Sequence, residues 1–198
     1  DQGQGPVLAR AEQARGKLVF TPCSTGNRNE FLRRAGANGV QGIPLTGGEP
    51  TVRAHLPVLV AKLAAPQNDH GRVDLAMTTN GATMRLVAEG LREAGLQRVN
   101  ISLDTLDRAK FHRMTRRDEL ANVLDWIAAA QEAEFDPVKI NAVIERGVND
   151  DEIIDLARFG RNQNVEVRFI EFMPLDADGH WLSDKVVGQD EIVAAINA

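Results

Sequence analysis

Short apolar stretches and helix-like stretches alternate along the chain from Val40 onward. Five stretches of strand length, bounded by polar or turn-forming residues, are predicted β-strands: residues 42–46, 73–78, 99–102, 138–143 and 165–170. In the segments between them, apolar residues recur at the three- and four-residue spacing of a helix. Strands that alternate with helices in this way predict an α/β fold, in which helices cover a parallel sheet.

The helical spacing predicts helices at residues 52–63, 82–94, 120–133, from 149 onward, and 189–196. Gly95 is the expected stop of the second helix. Asn149, with Glu152 three residues later, is predicted to form a capping box at the start of the fourth helix. The inward-facing residues predicted by the spacing are Leu56, Leu59, Val60 and Leu63, then Leu86, Val87 and Leu91, and finally Val123, Leu124, Ile127 and Ala130.

Residues 1–39 show no sustained period, so we divide the chain into this N-terminal segment, without predicted structure, and an ordered part at 40–198.

The net charge of −5 and the absence of a basic stripe argue against nucleic acid as a partner. No apolar run has the length of a membrane span and no signal peptide opens the chain, which predicts no membrane partner. The single cysteine, Cys23, excludes a disulfide framework and suits a reducing cytosol, which predicts a cytoplasmic protein.

The sequence LTGGEP, residues 45–50, lies between the first predicted strand and the first predicted helix. Gly47 and Gly48 allow a backbone with positive φ, against which a ligand can lie. Glu49 supplies a carboxylate that accepts hydrogen bonds from a ligand ammonium group. The same residues also fit an ordinary strand-to-helix turn with a solvated Glu49, and the hexapeptide alone does not decide between the two interpretations.

The later strands also end in polar residues, at the place where ligands bind in barrels and in open α/β sheets. Both architectures fit the pattern, although no Gly-x-Gly-x-x-Gly fingerprint follows any strand. Thr78 and the two residues after it either bind a ligand or cap the next helix. Asn100, Ser102 and Asp104 alternate with apolar residues and are therefore predicted to share one face of their strand.

Lys139 lies within a predicted strand, between Val138 and Ile140, which is unusual for a surface lysine. Its ammonium group is suited to a phosphate group, and the alternative is an ion pair with Glu171 or Asp104. An aldolase-type barrel enzyme, which would use Lys139 to form a Schiff base, is a further alternative.

Six motifs occur in the order and spacing of one enzyme family: LTGGEP at 45–50, TTNG at 78–81, VNISLD at 99–104, VKINAV at 138–143, GVND at 147–150 and RFIEFM at 168–173. Together they resemble the GTP 3′,8-cyclases, radical S-adenosylmethionine (SAM) enzymes that begin molybdenum-cofactor biosynthesis. The resemblance covers residues 40–198. It implies a partial (βα)6 TIM-like barrel of the radical SAM type, incomplete at its N-terminus.

The resemblance also implies roles for individual residues. Gly48, Glu49, Ser102 and Met173 match family positions that bind the cofactor SAM, and Thr78 and Lys139 match positions that bind the substrate GTP. In the family reaction, a reduced 4Fe–4S cluster splits SAM, and the resulting radical converts GTP to 3′,8-cyclo-7,8-dihydro-GTP. The implied partners are GTP, a pathway protein that takes the cyclised product, and a second copy of the chain in a homodimer.

Three features depart from the family pattern. The family holds its SAM cluster through Cys-x-x-x-Cys-x-x-Cys, whereas this chain has only Cys23, with Asn27 and Glu30 in that register. Pro44 stands where the family has a GTP-contacting arginine, and the chain is expected to lack the segment that carries a second cluster. Because three thiolates are expected to anchor the SAM cluster, we predict no metal ligand or catalytic residue and an inactive chain as written. The alternative is a non-catalytic barrel that binds SAM and GTP.

Overall fold

The computed structural model describes residues 42–65, 67–68, 71–81, 83–173 and 183–198. The N-terminal segment 1–39, with Cys23, Asn27 and Glu30, lies outside these residues. None of the helices in the described part of the chain has the length and apolar composition of a membrane span.

A five-stranded, all-parallel sheet forms the centre of the described structure. Its strands lie in the order β1 (Gly42–Leu45), β4 (Asp74–Thr79), β5 (Arg98–Ser102), β6 (Val138–Ile144) and β7 (Glu166–Glu171). Between β1 and β4, the short strands β2 (Gln67–Asn68) and β3 (Gly71–Arg72) pair with each other in antiparallel fashion. All five predicted strands are confirmed to within one residue at each end.

Helices connect the strands of the sheet. They are α1 (Leu56–Ala64), α2 (Met84–Glu93), α3 (Arg108–Thr115), α4 (Leu120–Glu132), α5 (Ile153–Gln163) and α6 (Gln189–Asn197), with short 3-10 turns at Pro50–Val52, Asp150–Glu152 and Ser183–Lys185. Parallel strands joined by helices confirm the predicted α/β fold of the partial-barrel type. The helix α3 was not among the predicted elements.

The core lies between the sheet and the helices. Alternate residues of the strands point toward the helices and are at most 3% exposed, among them Ile43, Leu75, Met77, Val99 and Ile140. Every inward residue predicted for α1 is buried, as are Val123, Ile127 and Ala130 in α4, while Leu124 is partly buried against the same core. Burial of this apolar set is the main stabilising term of the fold.

The prediction that Leu86 of α2 faces the core is wrong. Leu86 is 85% exposed, whereas Met84, Ala88 and Leu91 are buried and Val87 is partly buried. The buried stripe follows i, i+4 and i+7 from Met84, the first residue of the helix. Leu86 lies two residues from Met84, about 200° around the helix axis, and therefore points to solvent.

The first predicted helix begins later than expected. Pro50–Val52 forms a separate 3-10 turn, and α1 starts only at Leu56, because His55 adopts a left-handed backbone with φ of 60°. The second helix ends as predicted: the Gly95 N–H donates to the Arg92 carbonyl after the last helical turn.

The predicted capping box at the start of α5 is wrong. The Asn149 side chain accepts a hydrogen bond from the Glu145 N–H and caps no helical N–H. The Glu152 carboxylate accepts from Thr105 and Leu106 in the loop after β5. Both side chains therefore join neighbouring loops and do not close the first turn of the helix.

Candidate functional site

The strand residues that point away from the helices form one polar surface, here called the polar face. Its members are Thr78, Arg98, Asn100, Ser102, Lys139, Asn141, Glu166 and Arg168. Strand pairing places Thr78 beside Asn100, Asn100 beside Lys139, and Lys139 beside Glu166. The predicted shared face is confirmed for Asn100 and Ser102, since the alternating residues Val99 and Ile101 are fully buried. It is wrong for Asp104, the third residue of that prediction, which lies beyond the end of β5.

Thr78 and Lys139, which match the family's GTP-binding positions, both lie on this face. They are two strands apart, about 10 Å at the usual strand spacing. Between them, the Asn100 side-chain amide donates to the Thr78 hydroxyl oxygen at 3.1 Å. The two residues thus flank an amide that is itself held in place.

Lys139 forms an ion pair, but with neither of the two partners predicted for it. Its Nζ lies 2.5 Å from the Glu166 carboxylate, and the other oxygen of that carboxylate accepts from Arg168 Nε at 3.0 Å. Glu171 instead accepts from the Gln189 N–H, and Asp104 from the Val143 N–H. Lys139, and to a lesser extent Arg168, lower the pKa of Glu166 by donating hydrogen bonds to its carboxylate.

Glu49 is held at the carboxyl end of the sheet by hydrogen bonds and is not simply solvated. One carboxylate oxygen accepts from the Thr51 N–H at 3.0 Å and from the hydroxyls of Thr51 and Thr79 at 2.5 Å. The other accepts from the Asn80 N–H at 2.7 Å. The Thr79 hydroxyl also accepts from the Gly81 N–H, so it is used in this turn and does not cap α2.

The two glycines before Glu49 leave bare main chain beside the carboxylate. Gly47 and Gly48 have φ of 99° and 52°, as the sequence predicted. A Cβ atom on Gly48 would meet no heavy atom of the described residues within 4 Å, so these residues leave the space over the peptide open. A ligand can approach the main chain here at closer range than a side chain would permit.

The remaining positions that match the family's SAM contacts also lie at the carboxyl edge of the sheet. Ser102 is the last residue of β5 and is exposed. Met173 follows the end of β7 by two residues and is 49% exposed. The structure therefore brings Gly48, Glu49, Ser102 and Met173 to one edge, with Thr78 and Lys139 on the adjoining polar face.

Glu166 is the residue of this site that the sequence interpretation missed. It lies at the start of β7, directly beside Lys139 in the parallel register. The signal was present in the sequence, because Glu166 and Lys139 both lie near the amino ends of adjacent predicted strands. Parallel pairing of those strands makes Glu166, and not Glu171, the neighbouring carboxylate.

Among the carboxyl groups of the described residues, that of Asp104 alone has a raised pKa, because the group is buried. A carboxyl with a raised pKa in the folded state contributes most stability below its unfolded pKa and loses it as the pH rises through the folded pKa.

In Asp104→Asn, the side-chain amide cannot ionise, but its oxygen can still accept from the Val143 N–H. We expect this variant to be more stable than wild type at neutral pH, with the difference vanishing toward about pH 4. Urea unfolding over this pH range measures it.

Asp125→Asn is the matched control for Asp104→Asn. Arg85 lowers the pKa of Asp125 through a hydrogen bond, so this carboxylate stabilises the fold above its unfolded pKa. The variant is expected to be less stable than wild type at neutral pH, with the difference lost as the pH falls. Equal pH dependence in the two variants would contradict the assignment of the Asp104 shift to burial.

The chain belongs to the radical SAM superfamily, since the model of that family matches residues 26–160. Within it, the chain is similar to curated GTP 3′,8-cyclases, which confirms the resemblance read from the strand-end motifs. It is 50% identical over 161 residues to the enzyme of Acidothermus cellulolyticus, covering 81% of this chain and 44% of the relative. The enzyme of Geobacter sulfurreducens is 46% identical over 168 residues, with 85% and 50% covered. The chain thus spans about half the length of these relatives.

Two solved structures have folds similar to that of the chain. The structure of TYW1 with a lysine–pyruvate adduct has a TM-score of 0.60 at 18% identity, covering 84% of this chain and 54% of TYW1. HydG, a maturase of the [FeFe]-hydrogenase, has a TM-score of 0.58 at 13% identity, with 85% and 41% covered. At these identities the comparison shows the fold alone.

Proposed function

We propose that the chain is the barrel of a GTP 3′,8-cyclase-like protein, which binds SAM at the carboxyl edge of its sheet and GTP on the adjoining polar face. One observation carries the proposal: the residues that match the family's SAM site lie at the carboxyl edge, and those that match its GTP site lie on the polar face. The similarity to GTP 3′,8-cyclases supports the choice of these two ligands. The proposal includes the family's homodimer and a pathway protein that accepts the cyclised product.

The SAM site would be built from Gly48, Glu49, Ser102 and the main chain near Met173. The donors around Glu49 fix its carboxylate without a cationic side chain among the partners described above, so the negative charge is available to an ammonium group. The open space over Gly48 suits the adjoining part of the ligand. These residues fit SAM, whose role when bound is to supply the radical precursor.

The GTP site would centre on the row formed by Lys139, Glu166 and Arg168. Two cations share one carboxylate here, so a polyphosphate can take the place of Glu166 beside Lys139. Thr78, two strands away, offers its hydroxyl group on the same face. Pro44 pairs with Ala76 on the neighbouring strands and supplies no cation, in contrast to the arginine that the family has at this position.

The iron–sulfur cluster of the family does not fit this chain. A cluster of this kind is bound by cysteine thiolates, and the whole sequence contains a single cysteine. Within the described residues, no group of three or more His, Cys, Asp or Glu side chains is placed to hold a metal ion. We therefore propose binding of SAM and GTP without cleavage of SAM.

Titration calorimetry with SAM and with GTP, in the absence of iron, tests the binding sites directly. We expect saturable binding of each ligand at one site per chain. Anaerobic reconstitution with iron and sulfide, followed by dithionite and SAM, tests the second part, and we expect neither a stoichiometric cluster nor deoxyadenosine. Absence of binding would refute the proposed sites, whereas formation of deoxyadenosine would refute the inactive chain.

The ion pair of Lys139 favours a binding role over a Schiff-base role. A lysine that forms a Schiff base attacks as the neutral amine, which an apolar pocket or a second cation promotes. Here Lys139 Nζ donates to the Glu166 carboxylate at 2.5 Å, so the amine is engaged in an ion pair on a polar face and does not lie in an apolar pocket.

A further inference from the structure

Asn149 is a fully buried amide at the end of the loop that follows β6. Its Oδ1 accepts from the Glu145 N–H at 2.8 Å. Its Nδ2 donates to two carbonyl oxygens, that of Val143 at 2.8 Å and that of Asp104 at 2.6 Å. The acceptor and both N–H donors of this side chain are therefore used. An aspartate has the same shape but lacks the two N–H donors.

The bond to Asp104 is a link between the ends of two neighbouring strands. Asp104 lies in the loop after β5, and its own carboxylate accepts from the Val143 N–H in β6 at 2.8 Å. The Leu103 N–H donates to the Asn141 carbonyl at 3.0 Å. Pairing between β5 and β6 thus continues beyond the last residue of β5, and Asn149 lies at the end of it.

Glu152, about one turn after Asn149, contacts the same loop. Its carboxylate accepts from the Thr105 hydroxyl at 2.7 Å, from the Leu106 N–H at 2.7 Å and from Lys110 Nζ at 2.9 Å. Thr105 is completely buried, and Glu152 is 7% exposed. Hydrogen bonds in such buried networks are stronger than at the surface and fix one arrangement of the chain.

We propose that Asn149 is a positioning residue, which holds the loop after β5 and thereby sets Ser102 in the orientation that binds SAM. The inference rests on the proposed function for its ligand. Asn149 is buried beneath the carboxyl edge and bonds to main-chain groups, so it acts through Ser102 and does not contact the ligand. Its side-chain bonds distinguish it from apolar core residues, because they join the loop after β6 to the loop after β5.

The test compares Asn149→Asp with Asn122→Asp, which makes the same change of charge on the exposed surface of α4. We expect peptides spanning residues 102–107 to exchange amide hydrogens faster in Asn149→Asp alone. We expect its Kd for SAM to rise about tenfold, as misplacement of a binding group predicts, while its Kd for GTP stays at the wild-type value. A general loss of structure would instead weaken the binding of both ligands and accelerate amide exchange throughout the chain.

Unchanged exchange at 102–107, or SAM affinity equal to that of Asn122→Asp, would overturn the positioning role. If Asn149→Asp does not fold, Thr105→Val takes its place, since it removes one hydroxyl at constant shape from the same loop. Amide exchange at 102–107 and SAM affinity are then measured in Thr105→Val. If the wild-type protein binds no SAM, the proposed function is refuted. Titration of the wild-type protein with SAM is therefore enough to tell this outcome from failure of the positioning role.

Discussion

Replacing Gly81 with alanine is expected to lower the free energy of unfolding by about 3 kcal/mol. A Cβ atom at this position would lie 2.3 Å from Cε3 and 3.0 Å from Cδ2 of Trp126, far inside van der Waals contact. Trp126 is itself 7% exposed and cannot move without disturbing the packing of α4 on the sheet. Gly81 also has φ of 86°, which an L side chain rarely adopts.

Thermal and urea unfolding measure this effect, with an expected fall in Tm of about 6–12 °C for a chain of this size. Gly48→Ala is the control, because Gly48 also has positive φ, at 52°, but a Cβ atom there would meet no atom of the described part of the chain within 4 Å. The control reports the backbone cost alone, about 1–2 kcal/mol. Equal destabilisation of both variants would show that contact with Trp126 is not the cause.

Replacing Lys139 with methionine is expected to weaken GTP binding at least about tenfold, or 1.4 kcal/mol. The ammonium group is one of the two cations, with Arg168, that a triphosphate would contact at the proposed site. The fold is expected to survive, because Glu166 keeps its ion pair with Arg168 at 3.0 Å and methionine retains most of the lysine side-chain volume. Calorimetry with GTP measures the loss, and SAM affinity in the same variant should be unchanged.

Lys62→Met is the matched control, since Lys62 is an exposed lysine of α1 outside the proposed site. Guanosine provides a second comparison, because it carries no phosphate and should bind Lys139→Met and wild type with the same low affinity. GTP affinity that is equal in Lys139→Met and Lys62→Met would exclude Lys139 from the phosphate site.

The strands could be predicted from the sequence because both of their faces are defined by local patterns. In β5, for example, the buried residues Val99 and Ile101 alternate with Asn100 and Ser102. The motifs LTGGEP and TTNG located the carboxyl edge, since they lie at the ends of β1 and β4. The helix α3 was harder to find, because Phe111 is its only buried residue and gives no helical period.

The partners of charged residues could not be predicted from local sequence. Lys139 and Glu166 are neighbours only through the register of β6 and β7. Asn149 and Glu152 have the spacing of a capping box, yet the tertiary structure offers them the buried loop after β5 as a better set of partners. In both cases the long-range pairing, and not the propensity of the local segment, determines the contacts.

The strand order of the sheet has a consequence for how the chain folds. Each strand pairs with the one that precedes it among the parallel strands, so that Ile43 pairs with Leu75 and Val99 with Val138. Loop-closure entropy rises slowly with length, and successive strand–helix units can therefore join a growing sheet at similar cost. The buried amide of Asn149 can bond locally to Val143 and Glu145 at any stage, but its bond to the Asp104 carbonyl can form only after β5 and β6 have docked.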